Sequence, residues 1–119
     1  MRVISGSLKG RKIKGYDIEG TRPTMDRVKM SLFGSIQNYI QDACVLDLFA
    51  GSGNLGIEAI SNGAKRCFFV DNNHKCIRVI NENIKEFKIE DNSTSIDMDY
   101  CKALEIFKDK SYVFDIIFV

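Results

Sequence analysis

The sequence predicts an α/β fold built on a doubly wound parallel sheet, and two observations carry that expectation. Short runs of β-branched, aromatic and other apolar residues alternate with segments whose apolar residues recur every three or four positions, as strands alternating with amphipathic helices do. Between the first such strand and its helix lies a glycine-rich turn, Gly51-Ser52-Gly53-Asn54-Leu55-Gly56, where parallel sheets commonly hold nucleotides. Right-handed crossovers restrict the layout further, and the expected strand order is 3-2-1-4.

Residues 2–15 contain two short β-branched runs split by a glycine-containing turn, which predicts a hairpin with a cationic exposed face. Residues 16–23 read as a loop ending at the only proline, Pro23, which biases Arg22 toward extended backbone and lets Thr24 cap a helix. That helix runs from Met25 to about Ile40, with Met25, Val28, Leu32, Phe33, Ile36 and Ile40 forming its apolar stripe. Cys44–Phe49 suits a strand buried on both faces. Asn54–Ser61 reads as a helix closed at Asn62-Gly63 by a left-handed cap. Cys67–Asp71 is the second strand. His74–Phe87 is an amphipathic helix with Ile77, Ile80, Ile84 and Phe87 on one face. Residues 93–97 are the third strand, a short helix follows around Ala103–Phe107, and Phe114–Val119 is the fourth strand. The domain division is one partial domain over 1–119: a basic hairpin at 1–15, the amphipathic helix at 24–40 and a cofactor-binding βαβ core over 44–119.

Composition narrows the class. The 119 residues carry 17 Lys+Arg against 16 Asp+Glu, with 45% hydrophobic residues, which fits one globular domain and excludes a polyacidic tail or a uniformly basic coat protein. Charge is nevertheless uneven, because residues 1–30 hold eight Lys/Arg against three Asp/Glu. A basic N-terminal segment on an acidic body suggests a patch for a polyanion, against the plainer reading of a solvated edge. No secretory leader or spanning segment is evident, so the expected location is the cytosol. The four cysteines lack metal-ligand spacing and there is one histidine, so no metal is expected; the thiols are read as reduced, buried small hydrophobes.

The glycine turn and Asp71, 20 positions after Gly51, fit either a dinucleotide or S-adenosylmethionine. Asp47 separates the two. It stands four positions before Gly51, where a pyrophosphate would be repelled by a desolvated carboxylate, whereas a sulfonium and an ammonium would be attracted. A plainer role for Asp47 is to bond the loop amides.

Val45-Leu46-Asp47-Leu48-Phe49-Ala50-Gly51-Ser52-Gly53-Asn54-Leu55-Gly56-Ile57-Glu58-Ala59 resembles the cofactor motif of class I methyltransferases, whose fold is Rossmann-like and three-layered. Arg22-Pro23-Thr24-Met25-Asp26-Arg27-Val28-Lys29 with Leu32-Phe33, together with Gly6, Gly10 and Arg11, resembles the bacterial small-subunit ribosomal RNA guanine-N2 methyltransferase family. The resemblance implies that Asp47, Gly51 and Gly53 surround the methionine part of S-adenosylmethionine, that Asp71 holds the ribose, that Asp99 accepts from the adenine amine and that Tyr100 contacts that base. Thr24, Phe49, Asn54 and Asn72 complete the candidate cofactor set. Asn72 and Asn73 are equally readable as helix caps, and Asp97 and Asp99 as solvated loop acids.

The family's catalytic motif, Asp or Asn followed by two prolines and an aromatic, is absent from the 119 residues and is expected directly after Val119, so the chain is read as a fragment. Arg11 and Lys12 are candidates for RNA phosphate contact, with Lys9; Arg22 and Arg27 either contact phosphate or pair internally with Asp26 or the cofactor carboxylate. His74 is read as a first-turn helix residue rather than a base. The resulting expectation is a methyltransferase acting on a guanine exocyclic amine in small-subunit ribosomal RNA, free or in an assembling particle. The competing expectations are a dinucleotide-dependent oxidoreductase domain and a non-catalytic module that binds RNA or cofactor. A full-length protein is expected to be monomeric, and the fragment to self-associate through its last strand.

Overall fold

The computed structural model describes residues 1–15 and 22–119, with side chains in the first helix from Met25 onward. The elements are α1 (Arg22–Ile40), β1 (Cys44–Asp47), α2 (Asn54–Ser61), β2 (Arg66–Asp71), α3 (His74–Phe87), a 3₁₀ turn (Glu90–Asn92), β3 (Ser93–Asp97), α4 (Tyr100–Asp109) and β4 (Ile116–Phe118). The four strands form one parallel sheet in the order β3-β2-β1-β4. Chain direction reverses its march at β1, so the carboxyl ends of β1 and β4 flank a switch point, with Asp47 in register with Phe118.

Strand alternation sorts the core into two layers. Val45, Cys67 and Phe69 point to the side covered by α1, α2, α3 and the N-terminal segment, where Phe33, Ile57, Ile80 and Ile84 fill the core. Leu46, Leu48, Phe68 and Val70 point to the opposite side, where Ala103 and Phe107 of α4 cover them. Burying each such Leu, Ile or Phe contributes about 1.5–3 kcal/mol. Phe68, Phe107, Tyr112 and Phe114 form an aromatic cluster on this second face, with centroids 5.1–6.4 Å apart. That cluster is why β4 starts later than expected: Phe114 turns onto Phe68 and Phe107, and Asp115 bonds the Cys44 amide at 2.8 Å, before the ladder begins at Ile116.

α1 begins at Arg22, so Thr24 lies inside the helix rather than capping it, and Pro23 falls in the first turn, where its missing N–H costs nothing. The expected stripe is shifted as well. Val28 and Met25 are exposed while Lys29 is buried, so the inward line is Lys29, Phe33, Ile36 and Ile40. Phe33 meets Phe118 at 5.7 Å, which seats α1 against β4.

The N-terminal hairpin is reduced to one antiparallel bridge, Arg2 with Lys12. The reason is competition for amides: Ile4 and Ser5 donate to the Glu58 carboxylate and Leu8 to the Ser61 hydroxyl, instead of to a facing strand. Residues 1–15 therefore lie as a strap over α2 and α3, anchored by buried Val3 and Ile13. This explains how α2 can be buried nearly all round while carrying Glu58 and Ser61.

β1 stops at Asp47, leaving Leu48 and Phe49 in the loop, and α4 starts at Tyr100, capped by Asp99. All four thiols are free, as expected, but only Cys67 is buried, its pKa pushed up by burial first and by Asp47 second; Cys44 and Cys76 are half-buried and Cys101 is exposed on α4. Among the described residues no helix is long and apolar enough to cross a membrane, and no cluster of His, Cys, Asp and Glu could hold a metal ion.

Candidate functional site

The carboxyl ends of β1, β2 and β3 bring Asp47, Asp71 and the Asp97–Tyr100 stretch to one edge of the sheet, with the glycine loop between the first two. The loop is tied from both sides. Leu48 donates to the Phe118 carbonyl at 3.1 Å and Ala50 to that of Val70 at 3.0 Å, so the turn starts as a continuation of the sheet. Gly53 then takes φ 86° at the amino end of α2, a left-handed conformation that a glycine adopts without strain. Gly56 serves a different purpose. A Cβ there would lie 2.3 Å from the Phe69 ring and 2.6 Å from the Cys67 sulfur, so its bare backbone is what lets α2 lie directly on β2.

Asp47 is 3% exposed and its Oδ2 accepts the Gly56 amide at 3.2 Å. This amide belongs to the first turn of α2, so the carboxylate occupies the positive end of that helix from within the protein. Burial raises the Asp47 pKa from 3.8 to about 6; the Gly56 amide opposes the rise and the nearby Asp71 charge adds to it. Asp71, half-buried, bridges the loop and the next helix: one oxygen accepts the Gly51 amide at 3.0 Å and the other the Asn73 amide at 2.9 Å. Two carboxylates thus face one short loop, an arrangement that a cationic ligand relieves.

Beyond Asp71 the rings of Phe49 and Tyr100, both exposed, stand 5.3 Å apart. With Leu48, Asp71, Asn72 and Met98 they enclose a crevice of about 30 Å³. That volume is worth about two water molecules, less than an aromatic base occupies. A larger hollow of about 400 Å³, bordered by Met1, Lys14, Gly15, Gly51, Ser52, Cys76, Val79 and Glu82, meets the loop at Gly51 and Ser52 and contains neither Asp47 nor Asp71. The acids mark the site better than the size of the hollow, because they supply the directional chemistry.

The remaining sequence candidates divide. Asn72 is exposed beside the crevice, and Asn73 is the cap of α3, accepting from Lys75. Asp99 accepts the Cys101 amide at 3.0 Å as the cap of α4. Asn54 faces inward: it is buried and its Oδ1 accepts from Lys29 at 2.9 Å. His74 pairs with Asp97 on the surface. Thr24 and Arg22 lie outside the side chains that are described. Among the basic candidates, Lys9, Arg11, Lys12 and Arg27 are exposed or partly so. The Arg11 guanidinium donates to the Glu86 carbonyl at 3.1 Å and lies 4.8 Å over the Phe87 ring, which fixes it against α3.

Residues that no periodicity singled out also matter. Lys29 and Glu58 form an ion pair at 2.8 Å with both side chains 1% exposed. Asn83, buried in α3, accepts the Lys14 amide and donates to the Lys14 and Ser52 carbonyls, so it joins the N-terminal strap to the glycine loop.

A parallel sheet ordered 3-2-1-4, a glycine loop preceded by a buried acid and a second acid at the end of β2 define a partial class I methyltransferase fold. The chain belongs to the family described as Conserved hypothetical protein 95, whose model matches residues 1–119. Its relatives include the putative rRNA methyltransferase YlbH of Bacillus subtilis, 51% identical over 89 residues, covering 75% of this chain and 48% of that protein. Ribosomal RNA small subunit methyltransferase D of Buchnera aphidicola is 44% identical over 87 residues, covering 73% of this chain and 46% of the other. The solved structure of yhhF from Escherichia coli superposes with a TM-score of 0.78 at 33% identity, covering 87% of this chain and 55% of the other. The chain spans about half the length of the curated relatives it matches.

Proposed function

We propose that this chain is the cofactor-binding and RNA-facing part of a methyltransferase that uses S-adenosylmethionine to methylate the N2 amine of a guanine in small-subunit ribosomal RNA. The observation that carries the cofactor reading is the Asp47–Gly56 hydrogen bond. In dinucleotide-binding folds the pyrophosphate takes the positive end of the helix after the glycine loop. Here a protein carboxylate takes it, so a pyrophosphate would meet a buried negative charge, while a ligand carrying an ammonium and a sulfonium would meet a matching one.

In this reading Asp47 faces the methionine portion, Asp71 the ribose hydroxyls, and Phe49, Met98 and Tyr100 the adenine. Bound cofactor supplies a methyl group already activated by its positive sulfur. The chain's own contribution is positional: Asp47 pairs with Phe118 in the sheet register, so whatever follows β4 stands beside the methyl-donor end of the site. The name of the Buchnera relative supports ribosomal RNA as the acceptor. The basic side chains of Lys9, Arg11, Lys12 and Arg27 support a polyanionic one. The guanine N2 position rests on the sequence resemblance alone.

Calorimetry of the chain against S-adenosylhomocysteine and against NAD tests the cofactor. Binding of the first without the second is the expected result, and the reverse outcome overturns the reading. Transfer of a labelled methyl group by the complete protein to small-subunit ribosomal RNA, followed by nucleoside analysis, tests the acceptor; label on any other base or position refutes guanine N2.

A further inference from the structure

Lys29 lies on the buried face of α1 and uses all three of its ammonium protons. Nζ donates to the Arg2 carbonyl at 2.8 Å, to Asn54 Oδ1 at 2.9 Å and to Glu58 Oε1 at 2.8 Å. Glu58 in turn accepts from the Ile4 and Ser5 amides, the Ser5 hydroxyl and the Asn62 side chain. Three pieces of chain with no covalent proximity therefore meet at one ammonium: the N-terminal strap, α1, and the first turn of α2.

Such a pair is a poor device for stability alone. Taking two charges out of water costs about as much as their attraction returns, and apolar residues of the same volume do as well. What an apolar contact cannot supply is direction. Each proton of Lys29 has one acceptor, so a shift of about an ångström in any of the three pieces leaves a buried donor unmet. Asn54 is the first residue of α2 and directly follows Gly53, so displacement of the glycine loop reaches Nζ through a single residue. On the other side, Gly6 is seated so tightly that a Cβ would come within 2.0 Å of the Ser61 carbonyl oxygen, which prevents the strap from yielding locally.

We propose that Lys29, acting through Glu58, is a positioning residue that couples the basic N-terminal strap to the glycine loop, so that occupancy of the loop and binding of RNA at the strap strengthen each other. This rests on the cofactor and RNA reading given above. The coupling is reciprocal by thermodynamic necessity, and couplings of this kind typically span about 5- to 150-fold in affinity.

The test measures binding of S-adenosylhomocysteine to the full chain with and without a mixed-sequence 20-nucleotide RNA, and of that RNA with and without S-adenosylhomocysteine. In the wild-type chain each ligand is expected to tighten the other at least about fivefold. In the Lys29→Met, Glu58→Leu double variant, used once its circular dichroism spectrum and unfolding midpoint match a folded chain, the effect falls below about twofold while each ligand alone still binds. Glu58→Gln, which keeps an acceptor for the Ile4 and Ser5 amides, is expected to retain an intermediate coupling. Hydrogen exchange supplies an arm that needs only the wild-type chain: S-adenosylhomocysteine should slow exchange of the Ile4 and Ser5 amides, which do not border the loop. Unchanged exchange at those amides, equal coupling in wild type and double variant, or no coupling in wild type overturns the proposal. Failure of S-adenosylhomocysteine to bind the wild-type chain overturns the cofactor reading instead, and the proposal with it.

Discussion

Asp47 and Gly56, nine residues apart, are joined by a 3.2 Å hydrogen bond from the glycine amide to the aspartate Oδ2, which places a buried carboxylate on the amino end of α2. Burial of that carboxylate, which outweighs the opposing Gly56 bond and raises its pKa to about 6, makes the site sensitive to pH.

Stability should record this sensitivity. The Asp47 pKa stands at about 6 in the folded chain against 3.8 for an ordinary aspartate, so the folded state holds this proton more tightly than the unfolded state. Its contribution is fully present below about pH 4 and is lost as pH rises through 6, a difference of about 3 kcal/mol by linkage. Urea unfolding of wild type and Asp47→Asn between pH 4 and pH 7 is expected to show the wild type losing stability relative to the variant, with the difference levelling off above pH 7. Parallel curves for the two proteins would contradict this.

Cofactor affinity should run in the opposite direction with pH, because the ionised carboxylate is the form a cation attracts. S-adenosylmethionine is expected to bind more tightly at pH 7 than at pH 5, with release of a proton below pH 6 that calorimetry detects as a heat dependent on the buffer. Asp47→Ala should weaken binding tenfold or more, about 1.4 kcal/mol or above. Asp71→Ala should weaken it as well while leaving the circular dichroism spectrum unchanged.

Gly56→Ala tests the close packing of α2 on β2. The added methyl meets the Phe69 ring at 2.3 Å and the Cys67 sulfur at 2.6 Å, both in the interior, and the expected loss is about 1–3 kcal/mol by chemical unfolding. A neutral result would show that α2 can lift from the sheet without penalty.

RNA binding should respond to the exposed face of the strap. Replacing Arg11 and Lys12 with Glu is expected to lower affinity and to reduce the slope of log affinity against log salt by about 0.7 or more for each lost phosphate contact. Fluorescence anisotropy across about 50–200 mM salt reads both quantities. An unaltered slope would remove the strap from the RNA surface. Arg11 is also held by the Glu86 carbonyl and the Phe87 ring, so Lys12→Glu alone separates the charge effect from loss of that packing.

Much of the framework follows from local pattern. The bounds of α2, α3 and β3 and the strand order agree with the residue-level expectation, because apolar period, capping residues and crossover handedness are short-range or generic constraints. Several departures share one cause, which is a partner distant in sequence. Lys29 is buried because Glu58 receives it, and nothing between residues 22 and 40 announces that. The hairpin loses its ladder because Glu58 and Ser61 capture its amides, and β4 starts late because Phe114 prefers the aromatic cluster. Asn54 reads as a ligand from its place in the glycine motif, yet α2 turns its side chain inward to Lys29. Asp47 and Asp71 are identifiable from spacing; their attachment to Gly56 and Gly51 depends on how the loop folds back over the strand ends.

The seating of β4 beside β1 has a kinetic corollary. Cys44 and Asp115, which bond across that seam, are separated by 71 positions along the chain. During synthesis, therefore, the central strand emerges long before its outer neighbour and waits with one flank bare. Pairings of such long range are slow to form. Of the ties that shape the acid-lined loop, Leu48 to Phe118 alone waits for that late strand, while those of Ala50, Gly51 and Gly56 close within the first 71 positions, so the loop forms largely before its flank is covered.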